Sequence, residues 1–135
     1  MTLTLIESPF APINGHEGLT DDEYQAAIAD NIAYAKAAVR DCLARNEAPY
    51  ASHIFFTQDG LLDDRDAEQR RLGIEAGLLW GKAAQKSAVY IDRGISKGMK
   101  QGIERAQSEG RPVVYRSFLK GSTSSVDVEY SEIFI

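Results

Sequence analysis

The stretch AVYIDRGISKGMKQGI, residues 88–103, contains the pattern that decides the fold. Its first residues are apolar almost without interruption, which is typical of a strand that is covered on both faces. An acid and a Gly/Ser turn follow, and then a helix begins. Such a unit leaves backbone N–H groups free at the start of the helix, where an anion can bind. The stretch therefore predicts a parallel α/β sheet with a pocket for a nucleotide or nucleoside.

Strands and helices alternate along the rest of the chain, which favours a parallel sheet. The patterns predict strands over 2–6, 53–57, 87–91, 112–116 and 126–135, and helices over 20–45, 66–84 and 98–108. Thr20 and Glu23 have the spacing of a capping box, and Gly110 suits the end of a helix. In the second helix, Leu72, Ala76, Leu79 and Trp80 are predicted to form the apolar side. We expect a Rossmann-like, three-layer fold with a mostly parallel sheet of four or five strands, as one domain over residues 1–135.

Composition excludes several classes of protein. The chain has 135 residues, 44% of them hydrophobic, and a net charge of -5 without a polybasic block, so we expect no nucleic-acid partner. No apolar run is long enough to span a membrane and no signal peptide opens the chain, so we expect no membrane partner and a cytoplasmic location. The single cysteine, Cys42, is predicted to be a buried structural thiol. Two histidines without paired cysteines predict no metal site, and no cofactor is expected.

The polar residues that invite a functional interpretation follow the predicted strands, where ligands bind in parallel sheets. Asp92, Ser96 and Gly98 follow the third strand, and the hydroxyl together with the helix N-terminus can hold a phosphate or a sugar hydroxyl. The alternative is a capping serine with turn glycines. No Walker-type loop, GxSxG elbow or HExxH motif is present, which argues against those three chemistries.

Other candidates also have a structural alternative. Asp63 and Asp64 can bind a ribose diol or act as acid and base, or they can cap the next helix. Arg70 can pair with these acids or reach a phosphate. His53 is either a catalytic base or a structural histidine at a strand edge. Glu75, between Gly73 and Gly77, either faces solvent or presents a carboxylate to a ligand.

The order of these elements resembles the nucleoside 2-deoxyribosyltransferase-like superfamily. The resemblance rests on Glu7-Ser8-Pro9-Phe10 after the first strand and on Ser96-x-Gly98-Met99-x-x-Gly102-Ile103-x-x-Ala106. It is nearest to a small group from bacteria and phages that also has elements like His53, Leu62-Asp63-Asp64, Arg70-x-Leu72-Gly73-Ile74 and Asp92-x-Gly94-Ile95-Ser96. It extends over nearly the whole chain to about Phe118.

The resemblance implies a homo-oligomer that cleaves or exchanges the N-glycosidic bond of 2′-deoxynucleosides or their 5′-monophosphates. In such enzymes a Glu early in the last helix attacks the anomeric carbon, and an Asp after the preceding strand assists the leaving base. The turn serine and the helix N-terminus hold the phosphate, and an aromatic ring packs near the sugar.

Carried onto this chain, the resemblance gives Asp92 as a catalytic residue and places the nucleophile position at Gly102, which has no side chain. Glu75, Asp63 or Asp64 could then supply a carboxylate. The ligand-binding residues are expected to be Ser8, Phe10, His53, Arg70, Ser96, Gly98, Met99 and Gly102. Two functions stay open beside a divergent N-glycosidic-bond enzyme: a non-catalytic nucleotide-binding, sensing or sequestering protein, and a structural oligomeric module.

Overall fold

The computed structural model describes residues 1–133 and contains a five-stranded sheet in the order β2-β1-β3-β4-β5. The strands are β1 (Thr2–Glu7), β2 (Glu47–Tyr50), β3 (Lys86–Tyr90), β4 (Val113–Phe118) and β5 (Ser125–Val128). The helices are α1 (Asp21–Ala44), α2 (Ser52–Phe55), α3 (Ala67–Gly81), α4 (Lys97–Ser108) and α5 (Tyr130–Ile133). Neighbouring strands pair in parallel except β4 and β5, which are antiparallel. The predicted α/β fold with a mostly parallel sheet is confirmed.

Helices cover the two faces of the sheet, because successive side chains of a strand point to opposite faces. In β3, Ala88 and Tyr90 pack with Tyr34 of α1, whereas Val89 packs with Met99 and other residues of α4. The result is the three-layer, Rossmann-like arrangement that the sequence predicts. The unbroken apolar run in β3 is explained by this double coverage.

Helix α1 begins as the sequence predicts. Thr20 Oγ1 accepts a hydrogen bond from the Glu23 amide at 3.1 Å, and the Glu23 carboxylate accepts one from the Thr20 amide at 2.9 Å. Cys42 near the other end of α1 is fully buried, which confirms the prediction of a structural thiol. Helix α1 is therefore anchored at its start by its own cap and along its length by core packing.

The second strand was predicted in the wrong place. Residues 53–57 do not form a strand; residues 52–55 form the one-turn helix α2, and the strand is β2, just before it. Pro49 misled the prediction because proline cannot donate a ladder hydrogen bond. It is tolerated here since β2 lies at the edge of the sheet and pairs only with β1.

The predicted apolar side of the second helix is also wrong. Leu72, Leu79 and Trp80 are exposed in α3, and the residues buried there are Gly77 and Gly81. Glycine lets the helix approach its neighbours closely, so α3 packs through a face without side chains. The predicted edge strand over 126–135 is confirmed only as the short β5, after which α5 begins; residues 134 and 135 lie outside the described residues.

Candidate functional site

A cavity of about 180 Å³ lies at the carboxyl end of β1, between the loop that follows this strand, α2, α3 and the start of α4. In the sheet, β2 lies on one side of β1 and β3 lies on the other side, so the order of the strands reverses at β1. Ligands bind in open α/β sheets at such a reversal of strand order. The fold therefore puts a cavity at the place where a ligand site is expected.

The structure brings most of the predicted ligand-binding residues together around this cavity. Those that line it are Ser8, Phe10, His53, Arg70, Ser96, Gly98 and Met99, and of the predicted catalytic residues only Asp64 does so. Asp63, Glu75, Asp92 and Gly102 are not part of the lining. The sequence therefore predicted the ligand-binding residues of the cavity wall better than the acidic residues that face the cavity.

Glu7, the last residue of β1, supplies a carboxylate to the cavity. Its carboxylate lies where a side chain on Gly102, a buried residue of α4, would begin. A Cβ atom on residue 102 would overlap the Glu7 carboxylate, with the Glu7 Oε1 atom only 2.7 Å away. The missing side chain at position 102 therefore makes the room that the Glu7 carboxylate occupies.

The Glu7 carboxylate has an unfavourable environment for its charge. Burial raises the pKa of Glu7 to about 8, and the Arg111 guanidinium lowers it only in part. Within residues 1–133 no hydrogen bond reaches the Glu7 carboxylate. A buried carboxyl whose charge is stabilised by no hydrogen bond can keep its proton at neutral pH. Perturbed carboxyl groups in a cavity are candidates for proton transfer or nucleophilic attack.

Ser8 and His53 form a second polar pair in the same cavity. Ser8 is 4% exposed, and its Oγ lies 2.7 Å from the His53 Nε2 atom. Burial lowers the pKa of His53 to about 4, so the ring is neutral at physiological pH. Helix α2, which carries His53, packs closely on α3, where a Cβ on Gly77 would lie 2.5 Å from Ser52 Oγ. Gly77 thus lets α2 bring His53 to Ser8.

The start of α4 forms one wall of the cavity. Ser96 caps the helix, its Oγ accepting a hydrogen bond from the Met99 amide at 3.2 Å. This is the capping role that the sequence left open for Ser96. Gly98 faces open space, since a Cβ there would meet no atom within 4 Å. Lys97 is exposed beside it and lines the cavity, so a cation and the helix N-terminus lie together at this wall.

Asp64 lies where the cavity meets an open groove between α1 and the loop over 57–65. Burial raises the pKa of Asp64, which the nearby Arg70 opposes and Asp63 reinforces. The Arg70 Nε and Asp64 Oδ1 atoms are 4.0 Å apart, a loose ion pair. The two depressions share Phe10, Thr57, Leu62, Asp64 and Gln69. A ligand with two parts could therefore occupy both of them.

Asp92 lies outside the cavity, and three neighbouring groups hold its carboxylate. Its carboxylate accepts hydrogen bonds from Tyr34 Oη and Ser117 Oγ, both at 2.6 Å, and from the Phe118 amide at 3.2 Å. These contacts join α1 to the ends of β3 and β4. The geometry gives Asp92 a structural role, and its predicted catalytic role gains no support from its position.

Glu75 and Asp63 also lie away from the cavity. Glu75 is exposed on α3 and pairs with Arg71 at 2.8 Å, which is the solvent-facing alternative. Asp63 lines only the open groove and accepts a hydrogen bond from the Arg65 amide at 3.0 Å. The carboxylate in the cavity next to Gly102 is therefore that of Glu7, and not one of these two.

Residues 2–116 match the model of a family described as a domain of unknown function, DUF7768. The chain belongs to the DUF7768 family. No curated protein matches it. The family description states no activity, so the geometry of the cavity has to carry any functional argument about this DUF7768 chain.

Two further properties of the described residues concern possible partners. None of the helices within residues 1–133 has the length and apolar character that crossing a membrane requires. Over the same residues, no three His, Cys, Asp or Glu side chains are grouped to hold a metal ion.

Sequence reasoning missed Glu7 as a site residue. One signal was present: Glu7 ends a buried strand next to β3, at the edge of the sheet where ligands bind. Its partner Gly102 is far away in the chain, and nothing in the sequence pairs the two positions. Only the packing of α4 on β1 reveals that one residue has no side chain where the other places its carboxylate.

Proposed function

We propose that this protein binds a nucleoside or nucleoside 5′-monophosphate and cleaves its N-glycosidic bond, with Glu7 as the attacking carboxylate. One observation carries the proposal: the Glu7 carboxylate occupies the space into which a side chain at position 102 would project. Position 102 is where the resemblance to the nucleoside 2-deoxyribosyltransferase-like superfamily implies a nucleophilic Glu. A carboxylate that reaches this space from β1 can do the same chemistry from a different part of the chain.

The proposed reaction uses the ionised form of Glu7. A carboxylate oxygen bonds to the anomeric carbon while the bond from that carbon to the base nitrogen breaks, and the base leaves with the electron pair. The departing base takes up a proton from solvent through the open groove that Asp64 borders. Water then hydrolyses the ester at Glu7, or a second base accepts the sugar. The same residues thus serve a hydrolase or a transferase.

The surroundings of Glu7 suit the other parts of such a ligand. With the sugar in the cavity, the base reaches the open groove past Phe10 and Asp64, which border both depressions. A 5′-phosphate finds Lys97 and the free N–H groups of α4 at the cavity wall, and Arg70 nearby. The arrangement therefore accounts for a ligand with a sugar, a base and an anionic group.

Binding without cleavage is the second candidate, and the protonation of Glu7 favours it. With a pKa of about 8, most Glu7 side chains carry a proton at pH 7 and can form hydrogen bonds with the ligand but not attack it. A sensing or sequestering protein needs no more than this. The two candidates differ in whether free base appears.

The test is release of free base, measured by chromatography after incubation with 2′-deoxynucleosides and their 5′-monophosphates. We expect release to increase as the pH rises towards 8, because ionised Glu7 is the reactive form. Glu7→Gln should reduce the rate by about a thousandfold. Glu104→Gln, an exposed acid on the same helix as Gly102, is the matched control and should retain the rate. Thermal stabilisation by these compounds without any base release would favour the binding protein instead.

We also propose that the protein pairs with a second copy through the exposed side of α3 and the β2 edge. An apolar groove there is lined by Leu3, Tyr50, Phe55 and Trp80 among others, and Leu79 and Trp80 are each about two-thirds exposed, at 66% and 65%. Exposed apolar side chains of this size mark interaction surfaces, and a two-fold pairing of identical surfaces is the commonest way in which copies of one chain associate. Sedimentation should give a dimer that Trp80→Glu dissociates; a monomeric wild type would contradict it.

A cytoplasmic location stays a prediction.

A further inference from the structure

The pair of Ser8 and His53 is built into the cavity but has no part in the bond-breaking step proposed above. Ser8 is 4% exposed, and its Oγ is 2.7 Å from His53 Nε2. His53 is held in place because α2 packs on the glycine face of α3 at Gly77. A polar pair with a buried hydroxyl, held in a fixed position on a cavity wall, is suited to recognising a ligand group.

The hydrogen-bonding capacity of Ser8 is not exhausted by His53. A hydroxyl can donate one hydrogen bond and accept two. Whether Ser8 donates to the neutral imidazole or accepts from it, the Ser8 oxygen keeps a free lone pair. Within residues 1–133 no other hydrogen bond reaches the Ser8 hydroxyl. The cavity wall therefore offers an acceptor whose orientation His53 fixes.

Nucleophilic catalysis by this pair is unfavourable. A general base has to take up the serine proton, and burial lowers the pKa of His53 to about 4. Such a weak base seldom holds a proton at neutral pH. The pair is better suited to binding a neutral polar group than to activating a nucleophile.

We infer that Ser8 accepts a hydrogen bond from a hydroxyl on the sugar ring of the ligand, and that His53 is the positioning residue for Ser8. The inference rests on the proposed function, in which the neighbouring Glu7 meets the anomeric carbon. Consecutive Cα atoms are about 3.8 Å apart, so a group bound at Ser8 lies near that carbon. Ser8 lines the cavity assigned to the sugar and not the open groove assigned to the base. A sugar that lacks this hydroxyl leaves the buried Ser8 acceptor unpaired, which is how a site rejects a deoxy analogue.

The test compares the binding of three ligands with the same base: the ribonucleoside, the 2′-deoxynucleoside and the 2′,3′-dideoxynucleoside. Calorimetry on the Glu7→Gln variant measures affinity where the proposed nucleophile is absent. We expect one of the two hydroxyl deletions to weaken binding by about tenfold or more. When Ser8→Ala is added, the same hydroxyl deletion should weaken binding only about twofold. Ser108→Ala, an exposed serine at the end of α4 outside the cavity lining, should leave the effect of the hydroxyl deletion unchanged.

His53 variants separate positioning from bulk structure. In His53→Leu, most of the difference in affinity between ligands with and without the hydroxyl should disappear. His53→Gln, which keeps a donor and an acceptor, should retain part of this difference. The inference would be overturned if Ser8→Ala kept the full difference in affinity, or if all three ligands bound equally well. If the wild type releases base but binds all three ligands equally, only the inference about Ser8 is contradicted. If removal of a hydroxyl weakens binding but no base is released, only the proposed cleavage is contradicted. Failure of all three ligands to bind contradicts both.

Discussion

Two carboxylates follow neighbouring parallel strands of this sheet, and they have opposite environments. Asp92, after β3, accepts hydrogen bonds from two hydroxyls and one backbone amide and ties α1 to two strands. Glu7, at the end of β1, borders a cavity, and within residues 1–133 no hydrogen bond reaches its carboxylate. Burial raises the pKa of Glu7 to about 8. The strand ends thus hold one carboxylate that stabilises the fold and one that costs stability.

The difference teaches which acid to associate with function. A carboxylate that accepts three hydrogen bonds from the protein, as Asp92 does, is stabilised where it is and has less capacity left for a ligand. A carboxylate kept in an unfavourable site has to be tolerated by the rest of the fold, and such sites concentrate where ligands bind. The position of Glu7 in the space beside Gly102 adds geometry to this argument.

The largest expected effect is on the pH dependence of stability. The Glu7 carboxyl has a pKa of about 8 in the folded protein and about 4.5 in the unfolded chain. As pH rises above 4.5 the unfolded chain loses this proton first, which favours unfolding until the folded carboxyl also ionises near pH 8. Relative to Glu7→Gln, the wild type should therefore lose up to about 5 kcal/mol between pH 4.5 and 8, and no more above pH 8.

Urea denaturation of the two proteins at pH 4.5, 6 and 8 measures this difference. The Gln variant should be the more stable one at pH 8, by a margin that shrinks towards pH 4.5. Glu104→Gln, in which an exposed acid is changed, should not reproduce the trend. A margin that is the same at all three pH values would mean that Glu7 ionises normally, which would contradict the account.

A smaller effect of the opposite sign is expected for Asp92→Asn. The amide keeps the size of the side chain but loses the charged acceptor for Tyr34 and Ser117. We expect a loss of about 1–2 kcal/mol in the free energy of unfolding at pH 7. Tyr34→Phe removes one of the same hydrogen bonds from the other side and should also destabilise the protein. If Asp92→Asn kept full stability but lost base release, the roles of the two acids would have to be exchanged.

The sequence was sufficient for the parts of the fold that local patterns control. The apolar run of β3 predicts a doubly covered strand, and Thr20 with Glu23 predicts the start of α1. The prediction failed at Pro49, because whether proline fits a strand depends on whether that strand lies at the sheet edge. It failed again on α3, where the apolar residues Leu72, Leu79 and Trp80 are exposed and the buried residues are Gly77 and Gly81.

The candidate site could be predicted only in outline, for a related reason. Strand ends in a parallel sheet predict where a pocket forms, and Ser8, His53 and Ser96 all lie there. Which carboxylate faces the pocket is a matter of tertiary packing: Asp92 is drawn away by three hydrogen bonds, and Glu7 is placed there by the absence of a side chain at Gly102. Neither relation is local in the sequence.

The measurement that tests the central claim most directly is rescue of base release by moving the carboxylate from β1 to α4. Glu7→Ala should be folded and release base about a thousandfold more slowly than the wild type. Adding Gly102→Glu to this variant places a carboxylate in the vacated space from the other side, and release should recover by at least about tenfold. Full base release by Glu7→Ala, or a folded double variant as slow as Glu7→Ala, would contradict the account.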